Sequence, residues 1–261
     1  VKTVLKFITL QAKIIMRILG LIPARYGSSR FPGKPLIDLK GKSMIQRVYE
    51  GASRSSLLTD LMVATDDERI VDVVKRFGGK VVLTGTHHQT GTDRCAEVLS
   101  LLSENYDVVI NIQGDEPLVQ AAQLDQLLAA FNSEAVQIAT LASRQISIAD
   151  LENTNRIKLV VDRNNKALYF SRSAIPNYAN SSGNPLEKYP YLRHIGLYAY
   201  RTDVLAKISQ LESTPLERIE SLEQLRWLYN GYQIQVVETS IETPNIDAPA
   251  DVETVLKLIV D

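Results

Sequence analysis

The first half of this chain alternates short, unbroken apolar runs with segments of helical period, and that rhythm restricts the fold more than any other feature. Residues 18–22 form the first run and end in a loop of Pro, Gly and Ser. Ser43 is placed to cap a helix whose Met44, Ile45 and Val48 share one face. Residues 61–65 read as a second strand, followed by a helix carrying Ile70, Val73, Val74 and Phe77 that Gly78 and Gly79 stop. Residues 81–83 are a third strand, Thr92 can cap the next helix, and residues 107–112 are a fourth strand. Strands without polar alternation are buried on both faces, as in parallel sheets covered by helices. The expected fold is α/β, a doubly wound and mostly parallel sheet.

The rhythm changes after about Arg144. Residues 157–161, 167–170 and 194–200 are strand-like with little helix between them, and residues 175–190 are rich in Asn, Ser, Gly, Pro and Tyr. An inserted lobe of antiparallel strands and a long loop, about 145–200, is the expectation. Thr214, Pro215 and Glu217 form a capping box with proline at the first helical position, predicting a helix that runs to Gly231. A strand over 233–237 and a final helix from Pro249 complete the chain.

Composition excludes several classes. With 45% hydrophobic and 23% charged residues the chain can bury a sizeable core, and disorder, coiled coil and collagen are ruled out. Cys95 is the single cysteine, so no disulfide framework exists, and packing is its expected role. A net charge of −1 argues against a protein built to coat nucleic acid. The apolar N-terminal stretch is interrupted by Lys6, Lys13 and Arg17, short of the roughly 18 uncharged residues a membrane span needs. No membrane insertion and a cytoplasmic location are expected, with Met16 as the natural start, residues 1–15 as a non-native or disordered extension, and 16–261 as a single domain.

The loop PARYGSSRFPGKP, residues 23–35, follows the first strand, where open α/β sheets place ligands. Arg25, Arg30 and Lys34 lie within ten residues, and Gly27 and Gly33 permit close backbone approach, the combination a polyphosphate needs. It is not a Walker A loop, because Pro35 stands where the magnesium-binding Ser or Thr belongs. A basic surface turn is the alternative. Asp115, in QGDEP (113–117) at the end of the fourth strand, is a hard-oxygen ligand suited to Mg²⁺. A second carboxylate could come from Asp247, which by itself reads more readily as a helix cap. Arg172 and the Arg193-His194 pair flank the inserted loop, either holding an acidic substrate or forming a solvated rim. The adjacent His87 and His88 read as a surface loop.

Taken together, these loops with ATD (64–66), HQTGTDR (88–94), YFSR (169–172), RHIGLY (193–198), LEQLR (222–226) and NID (245–247) resemble the 3-deoxy-manno-octulosonate cytidylyltransferases, the CMP-Kdo synthetases of Gram-negative lipopolysaccharide synthesis. The similarity covers about Met16 to the C-terminus. The first loop is shared with related nucleotidyltransferases, whereas the Gly-Thr-Asp-Arg, Phe-Ser-Arg and Arg-His-Ile-Gly segments point to Kdo. The inserted loop before Tyr191 is short for the family, and Asp93 stands where glutamate is expected. The resemblance implies a nucleotide-diphospho-sugar transferase-like fold, a homodimer formed through the inserted lobe, and CTP and Kdo as substrates. It further implies Arg25 and Lys34 on the triphosphate, with Arg30 near it. Ala64, Thr65, Asp66, Gln89, Gly91, Thr92 and Arg94 would lie around the cytidine, with Gln113 in the central cleft. Asp115 and Asp247 would bind Mg²⁺, and Arg172, His194, Tyr198, Glu223 and Gln224 would line the sugar pocket. Arg25, Lys34 and Asp115 are the implied catalytic groups. A sister enzyme acting on 8-amino-Kdo or a sialic acid shares this chemistry. A non-catalytic nucleotide-binding regulator would be expected to lack one of the cations or carboxylates, and all are present.

Overall fold

The computed structural model describes residues 16–27, 31–180 and 182–259. The expectations for residues 1–15 and for Arg30 lie outside the described residues.

The strands are β1 (Ile18–Ala24), β2 (Asp38–Leu39), β3 (Lys42–Ser43), β4 (Asp60–Thr65), β5 (Lys80–Leu83), β6 (Val108–Asn111), β7 (Ile138–Ser143), β8 (Lys158–Val161), β9 (Ala167–Ser171), β10 (Leu192–Arg201) and β11 (Ile234–Glu238). β2 and β3 form a small hairpin, and the rest join one mixed sheet in the order β11-β7-β10-β6-β1-β4-β5, with β8 attached to the start of β10 and β9 to β8. β6, β1, β4 and β5 are mutually parallel, as are β11 and β7, so the mostly parallel α/β fold is as expected. The apolar runs are continuous because both sheet faces are covered. Leu19 and Leu21 of β1 enter one core cluster with Tyr200 and Trp227, whereas Ile18, Ile22 and Ala24 enter the opposite one with Ile45, Val48 and Ile110.

Three elements differ from expectation. The strand expected over 194–200 extends to Leu192–Arg201 and lies inside the main sheet, antiparallel to both β6 and β7. Only Leu192 and Arg193 pair with β8 of the β8–β9 hairpin. Tyr198 and Tyr200 face one cluster and Leu197 and Ala199 the other, so this strand is buried on both sides and takes a central place. The helix expected from 214 to 231 is two helices, Pro215–Glu220 and Gln224–Tyr229, broken at Ser221 with φ +52°. The freed carbonyls of Glu220 and Ser221 accept from the Arg172 guanidinium at 2.7 and 3.3 Å. The capping box at Thr214 is present. Finally, the helix Gly91–Leu101 is capped by Thr90, which accepts from the Asp93 amide at 3.1 Å, and not by Thr92. Thr92 is buried and its hydroxyl donates instead to Glu223 at 3.1 Å.

Candidate active site

The C-terminal ends of β1, β4 and β6 lie side by side, with Ala24 opposite Thr65 and Leu21 opposite Asn111. This register brings Arg25, Asp66 and the 113–117 loop to one sheet edge, where a parallel sheet leaves room for a ligand. The first loop returns on itself through a bond from the Gly33 amide to the Tyr26 carbonyl, 2.9 Å, with Gly33 at φ +72°. A β-carbon there would be both strained and 3.2 Å from the Tyr26 ring. Pro35 then starts a short 3₁₀ turn, and Lys34 is directed back across the cleft.

The Lys34 ammonium donates to Asp115 Oδ2 at 2.8 Å and to the Ile246 carbonyl at 2.8 Å, and lies 3.9 Å from Asp247 Oδ1. Residues 81 and 213 positions apart from Lys34 therefore meet at one cation, the latter only through folding of the C-terminal segment. Two further contacts hold the segments together. The Ile246 amide donates to the Asp115 carbonyl at 2.9 Å, and the Thr243 hydroxyl donates to Glu116 Oε2 at 2.9 Å. Gly114 passes so close to β1 that an added β-carbon would sit 2.7 Å from the Pro23 carbonyl, a backbone atom that cannot step aside. Burial pushes the Glu116 carboxyl up to about 7.

On one side of this centre a cavity of about 160 Å³ is lined by Pro23, Ala24, Arg25, the 88–91 loop, Arg94 and Gln113. Arg94 is buried, bonded to Asp66 at 2.8 Å and to the Thr84 hydroxyl. Asp66 is thus turned to Arg94. Ala64 and Thr65 are fully buried in β4, and Thr92 faces Glu223, so these four residues stand behind the cavity wall while Gln89, Gly91, Arg94 and Gln113 form it. His87 is exposed, but His88 is not the surface residue expected: its ring is tucked against the Glu97 carboxylate.

On the other side a cavity of about 290 Å³ is bounded by Gln113, Asp115, Glu116, Arg193, His194 and Gly196, together with residues 155–157 and the 242–245 strap. A β-bulge between Ile195 and Tyr198 turns the Gly196 carbonyl toward Gln113, whose Nε2 donates to it at 2.8 Å. His194 has Thr140 Oγ1 3.0 Å from its Nε2 and the Phe170 ring edge-on at 5.1 Å. Burial, with Arg193 adding to it, pulls its pKa down to about 3, so the imidazole is neutral at pH 7.

The other residues assigned to the sugar by resemblance are placed differently. Tyr198, Glu223 and Gln224 lie behind the cavity, where Tyr198 packs edge-to-face on Trp227 at 5.1 Å. The Arg172 guanidinium donates to the carbonyls of Thr154, Glu220 and Ser221, and Glu220 in turn accepts from Ser171 Oγ and the Arg172 amide. It staples β9 to the broken helix pair and is not in the cavity wall. Sequence reasoning missed Thr243 and Glu242, which carry no local motif, and passed over Glu116 although it lies inside QGDEP.

Burial raises the Glu223 carboxyl to about 7, against 4.5 for an ordinary glutamate. The folded protein therefore keeps a proton that the unfolded chain releases above about pH 4.5. This stabilisation is complete below that value and is lost as pH rises through 7. Urea unfolding of Glu223→Gln near pH 5 and near pH 8 is expected to show the variant gaining about 2–3 kcal/mol relative to the parent across that interval. Parallel stability curves would mean that Glu223 ionises normally in the fold.

Among the described residues, no helix is long and apolar enough to cross a membrane, and no three His, Cys, Asp or Glu side chains gather as a metal cage. Comparison with known proteins accords with the loops and the geometry. A family model described as cytidylyltransferase matches residues 19–238. The 3-deoxy-manno-octulosonate cytidylyltransferase of Phocaeicola vulgatus is 53% identical over 240 residues, covering 90% of this chain and 94% of that protein. That of Geobacter metallireducens is 44% identical over 250 residues, covering 93% and 97%. A solved CMP:2-keto-3-deoxy-manno-octonic acid synthetase complexed with CTP superposes with a TM-score of 0.86 at 44% identity, covering 93% of this chain and 98% of its own. The 4-diphosphocytidyl-2C-methyl-D-erythritol synthase of Anaerococcus prevotii, 14% identical with a TM-score of 0.61, shares the fold alone. On this similarity, spanning nearly the whole length of both partners, the chain belongs to the 3-deoxy-manno-octulosonate cytidylyltransferase family.

Proposed function

We infer that this enzyme transfers the cytidylyl group of CTP to 3-deoxy-D-manno-octulosonate, giving CMP-Kdo and pyrophosphate for lipopolysaccharide synthesis. The observation that carries the reading is the meeting of Lys34, Asp115 and Asp247 where Asp115 enters a cavity walled by Arg193 and His194, which shares Gln113 with the cavity walled by Arg25 and the 88–91 loop. The anomeric hydroxyl of the sugar attacks the α-phosphorus of CTP in line. One P–O bond forms, the bond to the β-phosphate's bridging oxygen breaks, and pyrophosphate leaves. No covalent enzyme intermediate is required.

The chain's task is to hold several anions together in one geometry. Arg25, exposed at the end of β1, and Lys34 supply positive charge to the triphosphate. Gln113, tied to the bulge carbonyl of Gly196, spans the two cavities and fixes their separation. Asp115 and Asp247 are two oxygen donors converging on one ammonium, the number magnesium takes from a protein when substrate phosphates supply the rest. These residues would hold Mg²⁺, which when bound neutralises phosphate charge as a Lewis acid. A homodimer through the inserted lobe belongs to the same reading. A cytoplasmic location follows from the use of CTP.

The test is pyrophosphate release from CTP and Mg²⁺, with Kdo, 8-amino-Kdo and N-acetylneuraminate offered in turn and product masses recorded. Release with Kdo and a CMP-Kdo mass is expected. Turnover with another sugar and silence with Kdo would keep the chemistry and overturn the substrate.

A further inference from the structure

The cavity beside Asp115 has two arginines in its wall, Arg156 and Arg193, and they are held very differently. Arg156 is an exposed residue whose Nε stands 3.6 Å from Asp150. Arg193 lies in β10 with its backbone paired to Ser143 of β7 on one side and Lys158 of β8 on the other, and its side chain is only 11% exposed. Its guanidinium is in contact with Glu242, on the irregular strap that also carries Asn245 and Asp247.

That ion pair is lopsided. Arg94 and Arg226, the other arginines with little exposure and a carboxylate partner, are matched by acids that are also enclosed, Asp66 at 16% and Glu217 at 13%. Glu242 is 35% exposed. Where a buried cation is paired with a carboxylate, removing that partner without a replacement leaves an uncompensated charge in a low-dielectric wall, which is costly. Glu242 can be released to water at little cost if another carboxylate takes its place. The exchange keeps the charge of the wall constant and trades one charge-assisted pair for another.

We propose that Arg193 reads the carboxylate of the acidic sugar, and that Glu242 holds the guanidinium until the sugar displaces it. This rests on the substrate class inferred above, a 2-keto sugar acid. In such a sugar the anomeric carbon bears both the carboxylate and the attacking hydroxyl. Anchoring the carboxylate on the wall that Arg193 shares with Asp115 therefore also places the nucleophile beside the catalytic carboxylates. Of the two arginines in the wall, Arg193 is the enclosed one, fixed between β7 and β8, whereas Arg156 is exposed. His194 is neutral, and the Arg172 guanidinium is occupied by three backbone carbonyls.

The test compares the parent with Arg193→Met and Glu242→Gln, each assayed with Kdo and with its C1 amide. The parent is expected to favour the acid. Arg193→Met raises the KM for the acid by about 10²-fold, leaves the KM for CTP unchanged, and removes the preference for acid over amide. Glu242→Gln lowers the KM for the acid several-fold, because the internal competitor is gone, and leaves the amide unaffected. A residue that merely braces β10 would weaken both sugars equally. Equal losses on acid and amide in Arg193→Met, or a raised KM for the acid in Glu242→Gln, overturn the proposal. If Arg193→Met does not fold, Arg193→Lys, which keeps the charge without the fork, and Glu242→Gln decide the matter. A parent that turns over neither sugar instead refutes the functional reading.

Discussion

Asp115→Asn is expected to lower kcat by about 10³-fold or more while the protein stays folded. Asp115 is the middle residue of the 113–117 loop, directly after Gly114, and its Oδ2 takes the Lys34 ammonium at 2.8 Å. Asparagine fills the same space and can still accept from Lys34, so the loop geometry survives. What it cannot supply is the negative charge that would hold a magnesium ion beside the anionic phosphates. Asp115 is 27% exposed, and pairs of this kind contribute about 0–1 kcal/mol to stability, so the melting temperature should move by only a few degrees. Parallel measurement of single-turnover rates and thermal unfolding separates the two effects. Near-normal rates at saturating Mg²⁺ would remove Asp115 from the metal site.

Lys34→Ala is expected to damage use of the triphosphate, with kcat/KM for CTP reduced by about 10²–10³-fold. Its ammonium is the junction of two segments that no strand pairing connects. It bonds the Ile246 carbonyl and Asp115 and is near Asp247. Alanine removes the ammonium that Asp115 and Asp247 share and one of the contacts that hold the strap carrying Asp247. The loss should appear in the CTP kinetics first, with the KM for the sugar changing less. Lys34→Arg should restore activity only in part, since a forked guanidinium cannot reproduce a point charge shared by three oxygens. Initial rates at varied CTP check this, and unchanged CTP kinetics would refute the phosphate role.

The candidate site residues differ in how far the chain alone could reveal them. Arg25, Lys34 and Asp115 were legible because each follows a buried strand, and the end of a parallel strand is a ligand position whatever the rest of the protein does. Asp247 was weaker, because an acid ahead of a helix has a structural explanation of its own, and only its approach to Lys34 distinguishes the two. Thr92 looked like a cap because sequence shows the residue type and not which neighbour competes for its hydroxyl. Thr90 takes the cap, and the Thr92 hydroxyl donates to Glu223, 131 residues away. The break at Ser221 was invisible for the same reason, since the groups that donate to the freed carbonyls come from Arg172.

What the sequence determined by itself is therefore whatever depends on local period and spacing. This includes the parallel strands β1, β4, β5 and β6, the loop that follows β1, the capping box at Thr214, and the motifs by which the family is recognised. Only the tertiary structure decided that β10 lies antiparallel in the centre of the sheet, that Arg172 is a staple, and that Arg193 stands in the sugar cavity with an exposed partner. A residue's type and period are carried by its neighbours in the chain. Its burial, and the partner that satisfies its charge, are set by groups tens to hundreds of residues away, and those distances exist only once the core has closed.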